Sequence, residues 1–428
     1  MITTTTTKHS TVIPQPIKNQ TAKMLNLTLF SFLLLFTTTP TPTIAKQTLW
    51  LQTTPQSPVP YALKKGAGIP LGGGNTFPIT GNSSGGAFCL LHTNAAGSYP
   101  SPSSSGPGLF PHVHKKTYEN FYAVKGRVQL WGQNLDSFLL SKNKTWAGEQ
   151  ETRILSQGDI GAIPWNTIHT FTLLEPDTQL TGVLVPGGFE EFFFNMAVSP
   201  SPPPPPPPEP EGGGAGGGGG GGTAPLPGAG GFDIPSLAKW DVYPQLDFIP
   251  RRDVINGKAG GAGNWYNGPN PLPADAKAPI WVAKNYGPKY LNEQGRRYQI
   301  VAPFVTGTHT NGTFSQGTLT ISPFFPSASS SGEKINSTVA TAFLVEEGQL
   351  EVTVEGYDEP AVLIDGDVVF VPANTSFSYA ATAEFTKVMY ITGGGQGLDK
   401  QLIDKGRAWN SAFYPAKGPT LPRAMMRI

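Results

Sequence analysis

Residues 108–126 read GLFPHVHKKTYENFYAVKG, and this stretch decides how the rest of the chain is interpreted. Side chains two apart on a β-strand point to the same face, so an extended chain would direct the imidazoles of His112 and His114 to one side. The run NFYAVKGRVQLW that follows is rich in aromatic and β-branched residues and contains no proline, which predicts a strand. Glu119 immediately precedes this run, after a Lys-Lys-Thr-Tyr turn, and a hairpin-like return would bring its carboxylate over the two histidines.

A second stretch, residues 158–169, reads GDIGAIPWNTIH and adds one more histidine. His169 follows a turn signal at residues 164–166 and precedes another strand-like run, TFTLL. Three neutral imidazoles and one carboxylate suit a divalent transition metal. The single cysteine, Cys89, excludes a cysteine-rich structural zinc site, and Mg²⁺ or Ca²⁺ would require more oxygen ligands. The candidate ligands of one metal ion are therefore His112, His114, Glu119 and His169.

The composition limits the class of protein. A length of 428 residues allows two or three domains, and a net charge of +1 gives no indication of a nucleic-acid partner. Of the 52 glycines and 43 prolines, 13 and 11 fall within residues 199–231, where a polyproline run (202–208) precedes an almost pure glycine run (212–222). Such a segment cannot form a core, so residues 199–231 are predicted to be a disordered linker.

The N-terminal residues predict export from the cell. Residues 1–23 are polar and threonine-rich, which predicts a disordered extension, whereas residues 24–45 have the short apolar core and small-residue end of a signal peptide. That apolar core is too short for a comfortable membrane span, so we expect a secreted, extracellular protein without a stable membrane anchor. A membrane-anchored form is the alternative. Glycosylation triplets, which would suit a secreted glycoprotein, stand at Asn82, Asn143, Asn311, Asn336 and Asn374.

The two halves of the chain repeat one pattern. The run FLVEEGQLEV (343–352) repeats FYAVKGRVQL, and GDVVFVPANTSF (366–377) repeats GDIGAIPWNTIH, which predicts two copies of one fold. Short strands separated by Gly/Pro turns indicate an all-β barrel or sandwich in each copy. We therefore expect a metal-binding domain at 46–198 and a second domain at 232–428 that lacks the ligands. Aligning the repeats places four other residues where the ligands stand in the first copy: Lys334, Asn336, Thr341 and Phe377.

The spacing G-x(3)-H-x-H-x(4)-E-x(6)-G, followed by G-x(5)-P-x(4)-H, resembles the two signature motifs of the cupin superfamily. Asn166 stands where the second motif usually has glycine, and asparagine tolerates the left-handed turn conformation. Segments such as HVHKKTYENFYAVKGRVQLWG and GPKYLNEQGRRYQIVAPFVTGT closely resemble fungal quercetin 2,3-dioxygenases, from about residue 59 to about residue 415. The resemblance implies two jelly-roll (cupin) β-barrel domains joined by a Pro/Gly-rich linker.

The resemblance also implies a reaction. A metal-dependent dioxygenase of this kind cleaves the central ring of flavonols such as quercetin with O₂, giving a depside and carbon monoxide. Copper(II) is the metal that the resemblance favours, with Mn, Fe, Co or Ni as alternatives, and no organic cofactor is required. Glu119 is the expected catalytic base, accepting the proton of the flavonol 3-hydroxyl. The expected partners are a flavonol and dioxygen, and a homodimer is the assembly considered.

A flat polyphenol needs an apolar pocket, and the family segments indicate which residues would line it. Ordinary barrel core is the alternative for each of them, because apolar strand residues usually pack inside. The substrate-binding candidates are Phe77, Leu91, Thr93, Phe121, Phe171 and Leu180.

Two other functions remain open at this point. One is a different metallocupin enzyme, such as an oxalate-degrading one, which would usually keep metal ligands in both barrels. The other is a non-enzymatic ligand-binding or storage-type bicupin, which commonly lacks the metal ligands altogether. His309 lies outside the repeated motifs and is expected at the surface.

Overall fold

The computed structural model describes residues 47–72, 74–95, 110–141, 150–196, 234–259, 265–325 and 334–416. The predicted N-terminal extension, signal peptide and linker lie outside these described residues. The described residues all belong to one compact unit. In the part of the chain that the structure describes, no helix has the length and apolar character needed to cross a membrane.

Short strands dominate the described residues, as the Gly- and Pro-punctuated sequence predicts. In chain order the strands are β1 (Trp50–Leu51), β2 (Tyr61–Leu63), β3 (Ile69–Gly72), β4 (Asn75–Ile79), β5 (Cys89–Ala95), β6 (His112–Val113), β7 (Tyr118–Lys125), β8 (Val128–Asn134), β9 (Glu151–Leu155), β10 (Ile160–Ile163), β11 (Thr167–Leu173), β12 (Thr178–Val185), β13 (Tyr243–Pro244), β14 (Val254–Ile255), β15 (Lys258–Ala259), β16 (Ile280–Val282), β17 (Tyr290–Asn292), β18 (Gln299–Val305), β19 (Ser315–Ile321), β20 (Ile335–Ser337), β21 (Thr341–Glu347), β22 (Leu350–Val354), β23 (Ala361–Leu363), β24 (Val368–Val371), β25 (Thr375–Ala381), β26 (Thr386–Thr392) and β27 (Arg407–Ala408).

Helices are few and short. The α-helices are α1 (Gly81–Ser84), α2 (Leu135–Leu140), α3 (Glu190–Met196), α4 (Ile234–Leu237) and α5 (Leu398–Lys405), and two 3₁₀ helices span Ala238–Trp240 and Gln294–Arg296. Helix α3 consists of the phenylalanine-rich run EEFFFNM.

Two β-barrels account for nearly all of the strands. The first barrel consists of two seven-stranded sheets, in the orders β16-β10-β7-β12-β5-β4-β3 and β13-β6-β11-β8-β9-β15-β14. The second barrel consists of a nine-stranded sheet, β1-β2-β24-β21-β26-β19-β18-β17-β27, and a four-stranded sheet, β20-β25-β22-β23. Each barrel is formed by two sheets packed face to face. Their strands pair antiparallel, apart from the parallel pair β1 and β2. The predicted fold class, all-β with two jelly-roll barrels of the cupin type, is confirmed.

Each half of the sequence contributes strands to the barrel formed mainly by the other half. Strands β13 to β16 follow the linker in sequence but complete the two sheets of the first barrel, where β16 pairs with β10 and β13 with β6. Strand β2 precedes the first metal motif but pairs with β24 of the second barrel. Each barrel therefore depends on a segment from the other half of the chain, while the domain boundaries at 46–198 and 232–428 stay a prediction.

The seven-stranded sheet that contains β7 is buried on both faces. Phe121 and Ala123 point into the first barrel, whereas Tyr122 points to the other face, where its ring stacks on Phe304 with centroids 5.9 Å apart. Strands buried on both faces read as nearly continuous apolar runs, which explains the composition of β7 and β12. The two barrels thus pack sheet against sheet through a large shared apolar layer.

The register of the second barrel corrects the repeat alignment. His169 pairs with His112 across β11 and β6, and the equivalent pair across β25 and β20 is Phe377 with Ile335. The alignment that placed Lys334 and Asn336 at the histidine positions was wrong by one residue, because the loop that precedes Thr341 is one residue shorter than the loop that precedes Glu119. The residues at the ligand positions are therefore Ile335, Ser337, Thr341 and Phe377.

The expectation that His309 lies at the surface is also wrong. Its side chain is buried, Nδ1 accepts from the backbone N–H of Thr306 at 3.2 Å, and Nε2 donates to the carbonyl of Pro273 at 3.1 Å. Both ring nitrogens are used, so His309 has a structural role in fixing its loop.

Candidate metal centre

The first barrel brings the four predicted ligands together between its two sheets. His112 on β6 and His169 on β11 face each other as direct antiparallel partners, and His114 follows β6 by one residue. Glu119 lies on β7 of the opposite sheet, in register with Ile163. The H-x-H spacing directs both imidazoles to one side, as the sequence predicts. The expected hairpin-like return is wrong, because β6 and β7 do not pair: the Lys-Lys-Thr-Tyr segment carries the chain from one sheet to the other.

The ligand atoms converge on one point. The Glu119 Oε2 atom lies 3.1 Å from His114 Nε2, 2.9 Å from His169 Nε2 and 3.9 Å from His112 Nε2. All four ligand atoms lie within 4.8 Å of one another. Such a cluster matches the three-nitrogen, one-oxygen donor set expected for a divalent transition metal.

The other nitrogen of each imidazole is fixed by a backbone carbonyl. His112 Nδ1 lies 3.0 Å from the carbonyl oxygen of Phe110, His114 Nδ1 lies 2.7 Å from that of Asp241, and His169 Nδ1 lies 3.1 Å from that of Thr167. A carbonyl oxygen only accepts, so each Nδ1 must carry the hydrogen and donate it. Each neutral ring then presents the lone pair of Nε2 to the centre, which is the tautomer that a metal ligand needs.

Three lone pairs and a carboxylate directed at one point require a positive charge between them. Protonating His112 would be costly here, because burial and then the neighbouring His169 lower the pKa of its imidazole to about 4. For Glu119, burial raises the pKa, but the three imidazoles around its carboxylate outweigh that effect and hold the pKa well below its usual range. The carboxylate is therefore anionic, and a divalent cation fits between it and the three Nε2 atoms.

The site is open on the side of the carboxylate. The three histidine side chains are 1–5% exposed, whereas the side chain of Glu119 is 11% exposed. A small molecule that approached the centre would therefore meet Glu119 first. A site with four protein ligands and an accessible side can accept a further ligand, as catalytic metal sites do.

Asp241 is a functional residue that the sequence did not reveal. Its carbonyl orients His114, and its carboxylate accepts hydrogen bonds from the backbone N–H groups of Lys115, Lys116 and Thr117 at 2.9–3.0 Å. It adopts the left-handed conformation, with φ of 61°, which aspartate tolerates better than most residues. Asp241 therefore locks the turn between the ligands from a position 127 residues beyond His114.

Four of the predicted pocket residues lie on the same inner face as Glu119, whereas Phe171 lies on β11 of the opposite sheet. Across β5, β12 and β7, one row contains Leu91, Gly182 and Phe121, and the next row contains Thr93 and Leu180. The alternation of strand side chains puts these rows on one face of the sheet. They form a largely apolar floor that begins one row away from Glu119.

The candidates divide into two apolar clusters beside the histidines. Phe121, Phe171 and Leu180 pack together, and the Phe121 ring lies 5.9 Å from the His169 ring between centroids. Phe77 and Leu91 belong to a second cluster. Phe77 is fully buried beneath two phenylalanines of α3, at 5.5–5.6 Å between ring centroids, whereas Thr93 is only partly buried.

Two further residues beside the centre were not predicted. Phe189 packs its ring against His114 with centroids 4.9 Å apart, and it also contacts the cluster of Phe77 and Leu91. Gly182 leaves space in the middle of the floor, since an added Cβ would meet no atom closer than 3.7 Å. The aromatic run FEEFFF was a visible signal for Phe189, but the role of Gly182 depends on its cross-strand neighbours.

Comparison with known proteins gives two curated relatives. The chain is 39% identical over 346 residues to a quercetin 2,3-dioxygenase of Aspergillus japonicus, covering 79% of this chain and 89% of that protein. It is 31% identical over 144 residues to a quercetin 2,3-dioxygenase of Bacillus subtilis, covering 32% of this chain and 35% of that protein. No family model matches the chain.

Solved structures with a similar arrangement of strands are distant in sequence. An oxalate decarboxylase of Lactobacillus farciminis is 11% identical, with a TM-score of 0.40, covering 76% of this chain and 84% of its own. A Bacillus subtilis oxalate decarboxylase variant is 12% identical, with a TM-score of 0.36, covering 74% of this chain and 72% of its own. These likenesses are too weak to bear on chemistry. The similarity to the Aspergillus protein is much higher, with 39% identity over nearly nine tenths of that protein. The chain therefore belongs to the quercetin 2,3-dioxygenase family.

Proposed function

We propose that the protein is a metal-dependent dioxygenase that cleaves the central ring of flavonols such as quercetin with O₂, releasing a depside and carbon monoxide. The observation that carries the proposal is the convergence of three Nε2 atoms and one carboxylate oxygen beside an apolar floor. Family membership supplies the substrate class, because the curated relatives are named quercetin 2,3-dioxygenases.

The residues that would hold the metal are His112, His114, Glu119 and His169. Copper(II) is the proposed metal, since imidazole-rich donor sets favour it among divalent ions of the first transition row. When bound, the ion supplies Lewis acidity that lowers the pKa of a coordinated hydroxyl and a redox centre suited to dioxygen chemistry.

Glu119 is the proposed catalytic base. It is the most exposed of the four ligands, and its Oε2 is the atom on which the three Nε2 atoms converge. An approaching 3-hydroxyl would find this ionised carboxylate first and could pass it a proton, which leaves the flavonol as its electron-rich anion. The adjoining apolar rows would hold the flat rings and exclude water.

The two alternatives receive less support. A storage-type bicupin has no need of three imidazoles held in the metal-binding tautomer by three separate carbonyls. An oxalate-degrading enzyme needs polar groups to bind a small dianion, whereas the rows beside Glu119 are lined mainly by Leu91, Phe121 and Leu180.

The test is carbon monoxide release from quercetin in air by purified protein of known copper content. We expect one carbon monoxide per flavonol consumed, with no release under nitrogen or after chelation. A Glu119→Gln variant, which keeps the size of the side chain but removes its basicity, should slow release by about 10²–10⁴-fold, the usual contribution of a general base. Folded, copper-loaded wild-type protein that releases no carbon monoxide would overturn the proposed reaction.

We also propose that the protein is exported. The apolar run and small-residue end within residues 24–45 support this, as do four glycosylation triplets whose asparagines are exposed, at Asn82, Asn311, Asn336 and Asn374. Expression of the full chain in a fungal host should deliver shortened protein to the medium, with a mass that falls on enzymatic deglycosylation. Full-length protein retained in the cells would contradict the proposal.

A further inference from the structure

The second barrel has a cleft of its own, with a volume of about 140 Å³. Tyr379 and Phe324 give it aromatic walls, while Arg297, Lys334 and Lys405 give it positive charge. It is small compared with the ~300–1,000 Å³ of a typical drug-sized pocket, so it suits a ligand of about one ring rather than a flavonol.

This cleft corresponds in the fold to the substrate side of the first barrel. Tyr379 follows Phe377 by two residues on β25, as Phe171 follows His169 on β11. Ile335, which pairs with Phe377 at the lost metal position, also lines the cleft. The second barrel has therefore kept a cavity beside the place where its metal ligands have been replaced.

The charge of the cleft selects for an anion. Its lining contains two lysines and an arginine, and none of the lining residues that the structure describes is Asp or Glu. Lys334 pairs with Glu355 at 4.0 Å, but both side chains are largely exposed and the ion pair is therefore weak. Lys405 is an exposed residue of the last turn of α5 and lines the cleft.

The arginine is held in a fixed orientation. Arg297 is buried, donates to the carbonyl of Tyr379 at 2.5 Å, and lies over the rings of Tyr379 and Phe324 at 4.5 and 5.1 Å from their centroids. A buried guanidinium stacked on aromatic rings places a fixed positive charge beside flat apolar surfaces. That combination suits a planar ligand carrying a carboxylate.

Within the described part of the chain, one buried donor in the cleft lacks a partner. Asn292 is 1% exposed and lines the cleft; its Oδ1 accepts from the N–H of Gln294 at 3.0 Å, but its Nδ2 finds no acceptor among the described residues. Buried donors are rarely left unpaired, because losing their hydrogen bond to water without replacement costs free energy. The Nδ2 donor of Asn292 therefore indicates that the cleft binds a ligand with an oxygen acceptor.

We propose that this cleft is a second binding site that takes a small aromatic carboxylate of the hydroxybenzoate class. The carboxylate faces the cationic side chains and accepts from the amide of Asn292, and the ring lies along Tyr379 and Phe324. The site is independent of the flavonol reaction, since none of its residues belongs to the metal centre. Either proposal can fail without the other.

The experiment is titration calorimetry with 4-hydroxybenzoate on the full, metal-loaded chain made in a bacterial host, where Asn336 at the rim carries no glycan. We expect saturable binding to one site per chain, with resorcinol, a neutral ring of similar size, and inorganic phosphate binding at least about tenfold more weakly. If resorcinol bound as tightly as 4-hydroxybenzoate, the proposed role of the positive charge would be wrong. If phosphate bound as tightly as 4-hydroxybenzoate, the proposed role of the aromatic walls would be wrong.

Variants locate the site. Lys405→Glu at the exposed rim should weaken 4-hydroxybenzoate binding about tenfold or more, whereas Lys400→Glu, the same charge change on the same helix outside the cleft, should not. Asn292→Asp, which replaces the donor with a carboxylate, should weaken binding further. His169→Phe at the metal centre should leave binding unchanged. Loss of binding in His169→Phe with retention in Lys405→Glu would assign the ligand to the metal centre and overturn the proposal.

Discussion

Where the first barrel has His169 paired with His112, the second barrel has Phe377 paired with Ile335. The two pairs occupy the same register of the same fold. In the second barrel, Phe377 joins Phe343 and Tyr379 in an aromatic core, with ring centroids 5.5–6.4 Å apart. In the first barrel, the same space contains three imidazoles and a carboxylate.

The difference teaches what the metal centre demands of the fold. Filling the barrel with apolar side chains needs only local packing, whereas each imidazole needs a carbonyl to fix its ring. Two of these carbonyls come from residues two positions earlier in the chain, and the third comes from Asp241, beyond the linker. The site is therefore supported by both halves of the chain, and the scaffold alone does not make it.

The largest expected effect is that of His169→Phe, which gives the first barrel the residue type that Phe377 has at the equivalent position of the second barrel. Loss of one ligand should remove most of the bound metal and lower flavonol turnover by more than about 100-fold, the upper end of what losing an outer-shell partner costs. Metal analysis and carbon monoxide release measure both. The matched variant Phe377→His should gain no metal, because Ile335 cannot act as a ligand; a second bound ion in that variant would mean that the scaffold supplies more of the site than we infer.

A smaller effect is expected when the support of the turn is removed. Asp241→Gly keeps the left-handed backbone conformation accessible but deletes the carboxylate that accepts from Lys115, Lys116 and Thr117. Metal affinity should fall about 10–100-fold, as for other outer-shell partners, and competition with a chelator measures it.

The conservative variant Asp241→Asn separates this effect from general damage. Asparagine also tolerates the left-handed conformation and keeps one side-chain acceptor, so it should restore part of the affinity. Equal metal affinity in the wild type and the Gly variant, with both folded, would show that the turn needs no such lock.

The smallest expected effect concerns the pocket floor. Gly182→Val should fill the space between Leu91 and Phe121 and raise the KM for quercetin about tenfold, while the metal content stays unchanged. Gly182→Ala is the matched control, because its Cβ would make only an ordinary contact at 3.7 Å with Leu91. If valine left KM unchanged, flavonols would bind elsewhere in the barrel.

Local patterns in the sequence were sufficient to predict the fold class and the cluster of three histidines and one glutamate. The H-x-H spacing, the turn before Glu119 and the motif around Pro164 are each contained in about a dozen residues, and strand periodicity converts such spacing directly into geometry. The same periodicity put Phe121 and Leu180 on the inner face with Glu119.

Features that depend on distant parts of the chain escaped prediction. Nothing near Asp241 marks it as the partner of His114, and the pairing of β16 with β10 across the linker leaves no trace in either strand. The repeat alignment failed by one residue because a short loop can lose a residue without changing the strands beside it. His309 looked like a surface residue because its buried acceptor, the carbonyl of Pro273, lies 36 residues away.

The most direct test of the central claim is anomalous diffraction at the metal absorption edge from crystals of the copper-loaded protein. The account predicts a single strong peak in the first barrel, with His112, His114 and His169 nitrogens and a Glu119 oxygen at about 2.0–2.2 Å. No peak is expected beside Phe377 in the second barrel. A peak outside the four side chains, or a second peak of equal strength in the second barrel, would contradict it.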